Sequence, residues 1–360
     1  MSASAALLRP RTPEEVAALL GGGGRFLAIG AGTKPALSAP PAGFTAVSLA
    51  GLSGIVEYDP GEYTFTALAG TPLAELQAAL ARNGQYLPFD PLGAAAGATL
   101  GGTIASGISG PGRLRYGGVR DFILGVRFVT GRGENVRGGG KVVKNAAGFD
   151  FPKLLVGSLG RLGIITEATF KVFPRPAAAA TLRCDLPNFA AACALLPRLA
   201  AAPFDLEGLE LAPPGRLWLR LSGAPATLPE RLDRLEKFLG VEAERLVGEA
   251  EAAFWRAEPW TGLAGAIVAK VPVTLAVLAD FDEALGGRGA GRRYSAGANV
   301  AWVSWPGAAT ELDQLLQVRG LSGLVLQGPT PRPLLGIRRE DPFQRRIKSA
   351  LDPAGRFPDL

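Results

Sequence analysis

The sequence predicts an α+β protein of two domains, and three observations carry that prediction. Its 360 residues exceed what one ordinary hydrophobic core organises. Segments of helical and of strand periodicity are mixed along the first half, which fits α+β or α/β architecture. Beyond Arg175-Pro176 and an alanine run that reads as a hinge, the order becomes strand, helix, strand, strand, helix. That order suggests a ferredoxin-like layer, an antiparallel sheet with helices on one face. Hydrophobic residues at 48% and charged residues at 19% are a globular balance.

Thr12-Pro13-Glu14-Glu15 reads as a capping box with proline in the first turn, and the helix it opens stops at Gly21–Gly24. A strand over Arg25–Ile29 runs into Gly30-Ala31-Gly32-Thr33-Lys34, a loop of small residues whose backbone N–H groups can wrap a pyrophosphate. A simple turn is the competing reading. Strands follow near Thr45–Leu49, Gly54–Tyr58 and Tyr63–Ala69, and Thr71-Pro72 reads as the cap of a helix ended by Gly84. The stretch Pro91–Gly107 is almost wholly small residues; either a large flat ligand or close helix-to-sheet packing accounts for it. Gly110–Gly118 is expected to be a loop carrying Arg113, Arg115 and Tyr116, and Val119–Gly131 a strand with Arg120 and Asp121 at its start. Gly157, Gly160 and Gly163 then lead into an apolar strand ending at Pro174.

In the second half the expected elements are strands at Thr181–Leu186, Leu206–Leu211 and Arg216–Ser222 and helices at Phe189–Ala201 and Glu230–Leu239. Leu232, Leu235 and Leu239 fall on one helical face. Pro342–Leu351 reads as a last helix, with Arg345, Arg346 and Lys348 toward its C-terminal half.

Composition excludes several chemistries. Histidine is absent, which removes Ser-His-Asp and Cys-His catalysis, ordinary His-ligated zinc and any histidyl cofactor link. The two cysteines, Cys184 and Cys193, have no metal spacing, so no metal site is expected. The net charge is +6, and Arg113–Arg175 holds 12 basic against 4 acidic residues, a local +8 suited to an anion. Aromatics are not interleaved with those charges, so nucleic acid is not the expected partner. No apolar run of about 18 residues appears, and no signal peptide is read at the N-terminus; a cytoplasmic location without transmembrane segments is expected.

The segments AIGAGTK (Ala28–Lys34), PLGAAAGATLGGTIASG (Pro91–Gly107), RYGGVRDFILG (Arg115–Gly125) and GSLGRLGIITE (Gly157–Glu167) together resemble the PCMH-type FAD-binding domain of the vanillyl-alcohol oxidase (p-cresol methylhydroxylase) flavoprotein family. KNAAGFDFPKLLVGSLGRLGIITEATFKVFPRP narrows the resemblance to FAD-binding subunits of bacterial glycolate oxidases, and the ending LDPAGRFPDL is similar to theirs. The resemblance implies a two-lobed FAD-binding domain over 1–176, a smaller ferredoxin-like α+β cap over 177–330, and a tail over 331–360 returning to the first domain. It places the FAD pyrophosphate on Gly30, Ala31, Gly32, Thr33 and Lys34 and near Gly101, Gly102 and Ser106, with Ala98 and Thr99 also binding the cofactor. The adenine side is implied at Pro91 and Leu92 and at Gly163, Ile164 and Ile165. The isoalloxazine is implied near Arg113 and Gly117 and near Lys144, Gly148 and Asp150. Because Cys184 and Cys193 lie outside these segments and histidine is absent, the FAD is expected to be noncovalent.

The implied activity is oxidation of glycolate to glyoxylate, or of another small 2-hydroxy acid such as D-lactate to its 2-oxo acid. Electrons would pass to partner subunits: a second flavoprotein and an iron–sulfur protein. Such an assembly could sit peripherally on the inner membrane. A hydroxy-acid dehydrogenase needs a carboxylate clamp and a base; Tyr294 beside Arg292 and Arg293 is the candidate group here. Two alternatives stand beside this reading: an FAD subunit serving structure or electron transfer only, and a non-flavin nucleotide or anion binder.

Overall fold

The structure is a computed structural model of the chain that describes residues 7–140, 149–263, 265–338 and 341–359. The chain divides into two compact units: Met1–Ser109 with Gly118–Arg175 and Arg339–Leu360, and Gly110–Gly117 with Pro176–Arg338.

The first unit begins with α1 (Pro13–Gly21), where Thr12 Oγ1 accepts from Glu15 N at 3.2 Å and Glu15 accepts from Arg11 N at 2.7 Å. Val16 and Leu20 are its buried face. Then come β1 (Phe26–Ile29), α2 (Pro35–Ser38), β2 (Thr45–Ser48), β3 (Ile55–Asp59), β4 (Thr64–Leu68) and α3 (Leu73–Ala81). These are followed by β5 (Gln85–Tyr86), α4 (Leu100–Ser106), α5 (Arg113–Tyr116), α6 (Val119–Phe122), β6 (Ile123–Val129), β7 (Asn135–Gly139), α7 (Phe151–Leu155), β8 (Ile164–Lys171) and β9 (Phe173–Pro174). Parallel β1 and β2 form one small sheet, and an antiparallel sheet of order β3-β4-β8-β6-β7 forms the main one. Phe65, Phe89, Phe122 and Phe170 pack its core, with Phe65 stacked on Phe170 at 5.8 Å. Burial of each such ring removes apolar surface worth about 1.5–3 kcal/mol from water.

The second unit holds α5 together with β10 (Ala178–Asp185), α8 (Phe189–Ala201), β11 (Gly208–Ala212), β12 (Arg216–Gly223), α9 (Leu228–Leu239), β13 (Glu244–Val247) and α10 (Gly248–Arg256). It continues with β14 (Ile267–Pro272), α11 (Leu275–Gly286), β15 (Gly291–Ser295), β16 (Val300–Trp305), α12 (Ala309–Val318), β17 (Ser322–Gln327) and β18 (Leu334–Gly336). All nine strands join one antiparallel sheet of order β13-β10-β12-β11-β15-β16-β14-β17-β18. Numbered within themselves, β10–β13 run 4-1-3-2 and β14–β17 run 2-3-1-4. The unit is therefore two ferredoxin-like βαββαβ layers. Their second strands pair antiparallel where Leu211 faces Tyr294. The leucine face read from the sequence is buried: Leu232, Leu235 and Leu239 of α9.

Five expectations are corrected. The ferredoxin-like layer occurs twice, not once. Ala178–Ala180 begin strand β10, so the alanine run is not a hinge. Thr71 does not cap α3; its hydroxyl is committed to Gly54 N and to the carbonyls of Gly54 and Leu68. Val119–Phe122 is helical, because Asp121 turns back to accept from Gly118 N at 2.8 Å, and the strand starts at Ile123. Gly110–Gly117 contains the short helix α5 and groups with the second unit, and residues 331–338 stay there too because β18 pairs with β17.

The last helix, α13 (Pro342–Leu351), belongs to the first unit. Buried Asp352 anchors it, accepting from Arg356 N, Phe357 N and Lys348 Nζ. Lys348 Nζ also donates to the carbonyls of Arg161 and Phe357 at 3.0 Å each.

Candidate functional site

Gly30–Lys34 links β1 to α2. A Cβ on Gly30 would lie 2.3 Å from Thr99 Oγ1, so only glycine fits beside that threonine. Gly32 has φ +70° with nothing within 4 Å of its missing side chain; it is glycine for backbone conformation and for open space. The Gly93–Ala98 turn lies alongside: a Cβ on Gly97 would meet Ala31 at 4.0 Å, and one on Gly93 would meet Thr33 Oγ1 at 3.8 Å. Thr99 then caps α4, its hydroxyl accepting from Gly102 N at 3.3 Å.

The small residues of α4 divide into two kinds. A Cβ on Gly101 would come within 2.8 Å of Ala69 Cβ and 3.0 Å of Ala69 O, which is close helix-to-sheet packing. Gly102 meets only the Thr99 hydroxyl, at 3.2 Å. Past the end of α4, Gly107 adopts φ +62° against the backbone of Gly157, and Gly157 N and Leu159 N donate to the carbonyls of Ile104 and Ala105 at 2.9 Å each. Gly157 and Gly160 have φ +78° and +76° with nothing near their absent side chains. Between them Ser158 is 4% exposed, and its hydroxyl has no hydrogen-bond partner. A buried unpaired hydroxyl costs roughly 1–3 kcal/mol, so this position wants a ligand acceptor or donor. Ser158 was absent from the expected site; its signal in the sequence is a serine inside Gly157–Gly160.

The first unit thus gathers Gly30, Ala31, Gly32, Thr33 and Lys34, the Gly93–Thr99 turn, α4 with Gly101, Gly102 and Ser106, and the Gly157–Gly160 turn. Pro91 and Leu92 are buried just ahead of the Gly93–Thr99 turn, and Ala98 is buried within it. The Ser106 hydroxyl is committed to Thr103 O at 3.3 Å. Gly163 packs its backbone against Phe128 and Val129 O, and the side chains of Ile164 and Ile165 are core residues of β8. Asp150 is exposed and caps α7, accepting from Lys153 N at 3.2 Å and pairing with Lys153 Nζ at 2.7 Å. Slight burial opposes its ionisation, but the Lys153 bonds outweigh that and hold its carboxyl below the usual range. Lys144 and Gly148 lie outside the described residues. Arg113 and Gly117 belong to α5 and its C-terminal cap in the second unit.

Tyr294, Arg292 and Arg293 do not form one site. They are consecutive on β15, so alternation sends Arg293 to the face opposite Arg292 and Tyr294. On the helical face Asp282 of α11 accepts from Arg292 Nε at 2.6 Å, Arg292 Nη2 at 2.9 Å and the Tyr294 hydroxyl at 2.7 Å. Tyr294 is fully buried, and burial with the Asp282 charge pushes its hydroxyl far above the ordinary range, so it cannot serve as a base. On the other face Arg293 donates to Glu210 at 2.7 Å, with Ser295 and Trp302 extending the network. Both arginines are structural ion pairs.

Residues 4–139, which fall in the first unit apart from Gly110–Gly117, match the family model described as FAD binding domain. Across the whole chain the fold is shared with a solved alkyldihydroxyacetonephosphate synthase, 18% identical at a TM-score of 0.68 over 96% of this chain and 74% of that one. Among curated proteins, glycolate oxidase subunit GlcE of Escherichia coli (strain K12) is 40% identical over 205 residues, 56% of this chain and 55% of that protein. Glycolate oxidase subunit GlcD of Bacillus subtilis (strain 168) is 35% identical over 162 residues, 44% of this chain and 34% of that protein. A D-lactate dehydrogenase of Archaeoglobus fulgidus is 41% identical over 107 residues, 30% of this chain and 24% of that protein. The chain therefore spans about half the length of the first of these relatives and less of the others.

Proposed function

We propose that the chain is the FAD-binding subunit of a glycolate oxidase-type complex that oxidises a small 2-hydroxy acid. The observation that carries the reading is the set of open, positive-φ glycines around α4 with the unpaired Ser158 hydroxyl, in a unit that matches an FAD binding domain. Backbone N–H groups of Gly30–Lys34 and Gly102 would hold the pyrophosphate, Ser158 would complete its hydrogen bonds, and Ala98–Thr99 would fix the turn between them. Pro91 and Leu92 would flank the adenine side. When bound, FAD supplies acceptance of the two electrons leaving the hydroxyl-bearing carbon. The cofactor is held noncovalently, since the chain has no histidine and Cys184, buried in β10, and Cys193, on α8, lie outside the segments that resemble FAD-binding loops. Acid precipitation should leave the yellow colour in the supernatant; colour in the pellet would overturn this point.

Electrons must then leave through partners. Among the described residues no cluster of Cys, Asp and Glu could hold a metal, and two cysteines cannot bind an iron–sulfur centre. A second flavoprotein and an iron–sulfur protein are the proposed partners. Among the described residues no helix is long and apolar enough to cross a membrane. The second reading, a subunit for electron transfer without substrate chemistry, draws on the structural commitment of Tyr294, Arg292 and Arg293. The test is turnover of glycolate and D-lactate with an artificial acceptor, by the isolated chain and by the chain with its partners. Slow turnover alone and fast turnover in the assembly are expected. No turnover in either state, with flavin bound, would refute the oxidase reading.

A further inference from the structure

The second unit presents helices α8, α9, α11 and α12 on one face of its sheet. On the other face two arginines, one from each layer, are matched by carboxylates. Arg220 donates to Glu251 at 2.7 Å, and Arg293 donates to Glu210 at 2.7 Å. Lys270 on β14 breaks the pattern. Its register partners are Trp302 on β16 and Leu324 on β17, so it stands on the same face as Trp302 and Arg293. It is half-buried, and among the described residues it has neither an ion pair nor a side-chain hydrogen bond. The charged group acting on it is another cation, Arg113 of α5, which also has no carboxylate partner among the described residues.

Lys270 stands half-buried on the face that carries Trp302, and the like charge of Arg113 acts on it unfavourably; an anion near both reverses the sign of that interaction. We propose that Lys270 and Arg113 form the binding site for the carboxylate of the substrate, on the face of the sheet opposite α8, α9, α11 and α12. This inference rests on the 2-hydroxy-acid reading above and assigns its specificity determinant. A lysine flanked by Trp302 and Leu324 admits a small acid with little apolar bulk, such as glycolate or lactate. Trp260, whose ring lies 5.1 Å from that of Trp302, completes an aromatic wall able to report on occupancy. Burial, with help from Arg113, pulls the Lys270 ammonium down to about 8. The sign follows directly: the ammonium that attracts a carboxylate is present below that value and is lost as pH rises through it.

The experiment titrates the full-length, FAD-loaded chain with oxalate while reading tryptophan fluorescence, with sodium chloride at matched ionic strength as the control. A saturable change is expected at pH 7, weakened about tenfold or more in Lys270→Met and several-fold in Arg113→Gln, since one charge-assisted contact contributes about 1.5–3 kcal/mol. Lys270→Arg should restore most of the affinity. Affinity should fall as pH passes 8 in the wild type and stay flat in Lys270→Arg. Removing an unpaired, half-buried ammonium leaves Lys270→Met at least as stable as wild type, which a thermal melt verifies. An unchanged oxalate curve in Lys270→Met, or an equal response to chloride, would overturn the inference. Either result, with flavin content and turnover intact, would leave the proposed function standing; loss of flavin binding in the wild type would instead refute that function.

Discussion

Gly32→Val is expected to abolish FAD binding while the apoprotein keeps its fold, whereas Gly101→Val is expected to unfold the first unit. The two glycines lie in similar runs of small residues, yet their surroundings are opposite. At Gly32 the cost to the empty protein is conformational: a side chain at φ +70° costs roughly 1–2 kcal/mol, with nothing nearby to strike. The larger loss falls on the ligand, because a branched side chain occupies the space through which the backbone would reach the pyrophosphate. A drop in FAD affinity of at least about a hundredfold is expected, equivalent to ~2.7 kcal/mol. At Gly101 the first added carbon is already within 2.8 Å of Ala69 Cβ and 3.0 Å of its carbonyl, and valine adds two methyl groups more. Overpacking of this kind costs about 1–3 kcal/mol even where a core can adjust, and here the neighbour is backbone. Thermal melts of both apoproteins, alongside flavin content after reconstitution, measure the contrast. Unfolding of Gly32→Val with no selective loss of flavin would assign Gly32 to packing alone.

Asp282→Ala should destabilise the second unit more than any surface change. It removes the carboxylate that accepts two hydrogen bonds from Arg292 and one from Tyr294, leaving a guanidinium that is 18% exposed and a buried hydroxyl unmatched. Breaking a buried pair this way costs about 3–5 kcal/mol, which for a unit of this size lowers Tm by roughly 10 °C. Tyr294→Phe should cost far less, because it removes one partner and leaves the ion pair whole. Flavin content should be unchanged in both. A Tm within 2 °C of wild type for Asp282→Ala, read as about 1 kcal/mol or less, would show that the triad carries little of the fold.

The parts of this molecule that were legible in the sequence are those written in local signals. Thr12-Pro13-Glu14-Glu15 opens α1, the leucines of α9 fall on one face, and Gly30-Ala31-Gly32 turns out of a strand. What was hidden depends on partners distant in the chain. No local pattern marks the second ferredoxin-like layer, because β16 is buried at every residue and shows no alternation. Arg292 and Arg293 looked like a clamp because their carboxylates, Asp282 and Glu210, lie on other elements and no spacing announces them. Ser158 differs: the glycines around it, Gly157 and Gly160, are visible in the sequence, but only the fold shows that its hydroxyl is buried and unpaired. Gly101 and Gly32 are indistinguishable as letters, and only backbone geometry separates packing from open space.

The most direct test of the central claim, that the first unit holds FAD without a covalent link, is the visible absorption spectrum of the purified chain before and after heat denaturation. A flavin spectrum in the native protein, shifting to that of free FAD and passing wholly into the supernatant when the protein precipitates, is the predicted result. A colourless native protein that also fails to take up added FAD would contradict it.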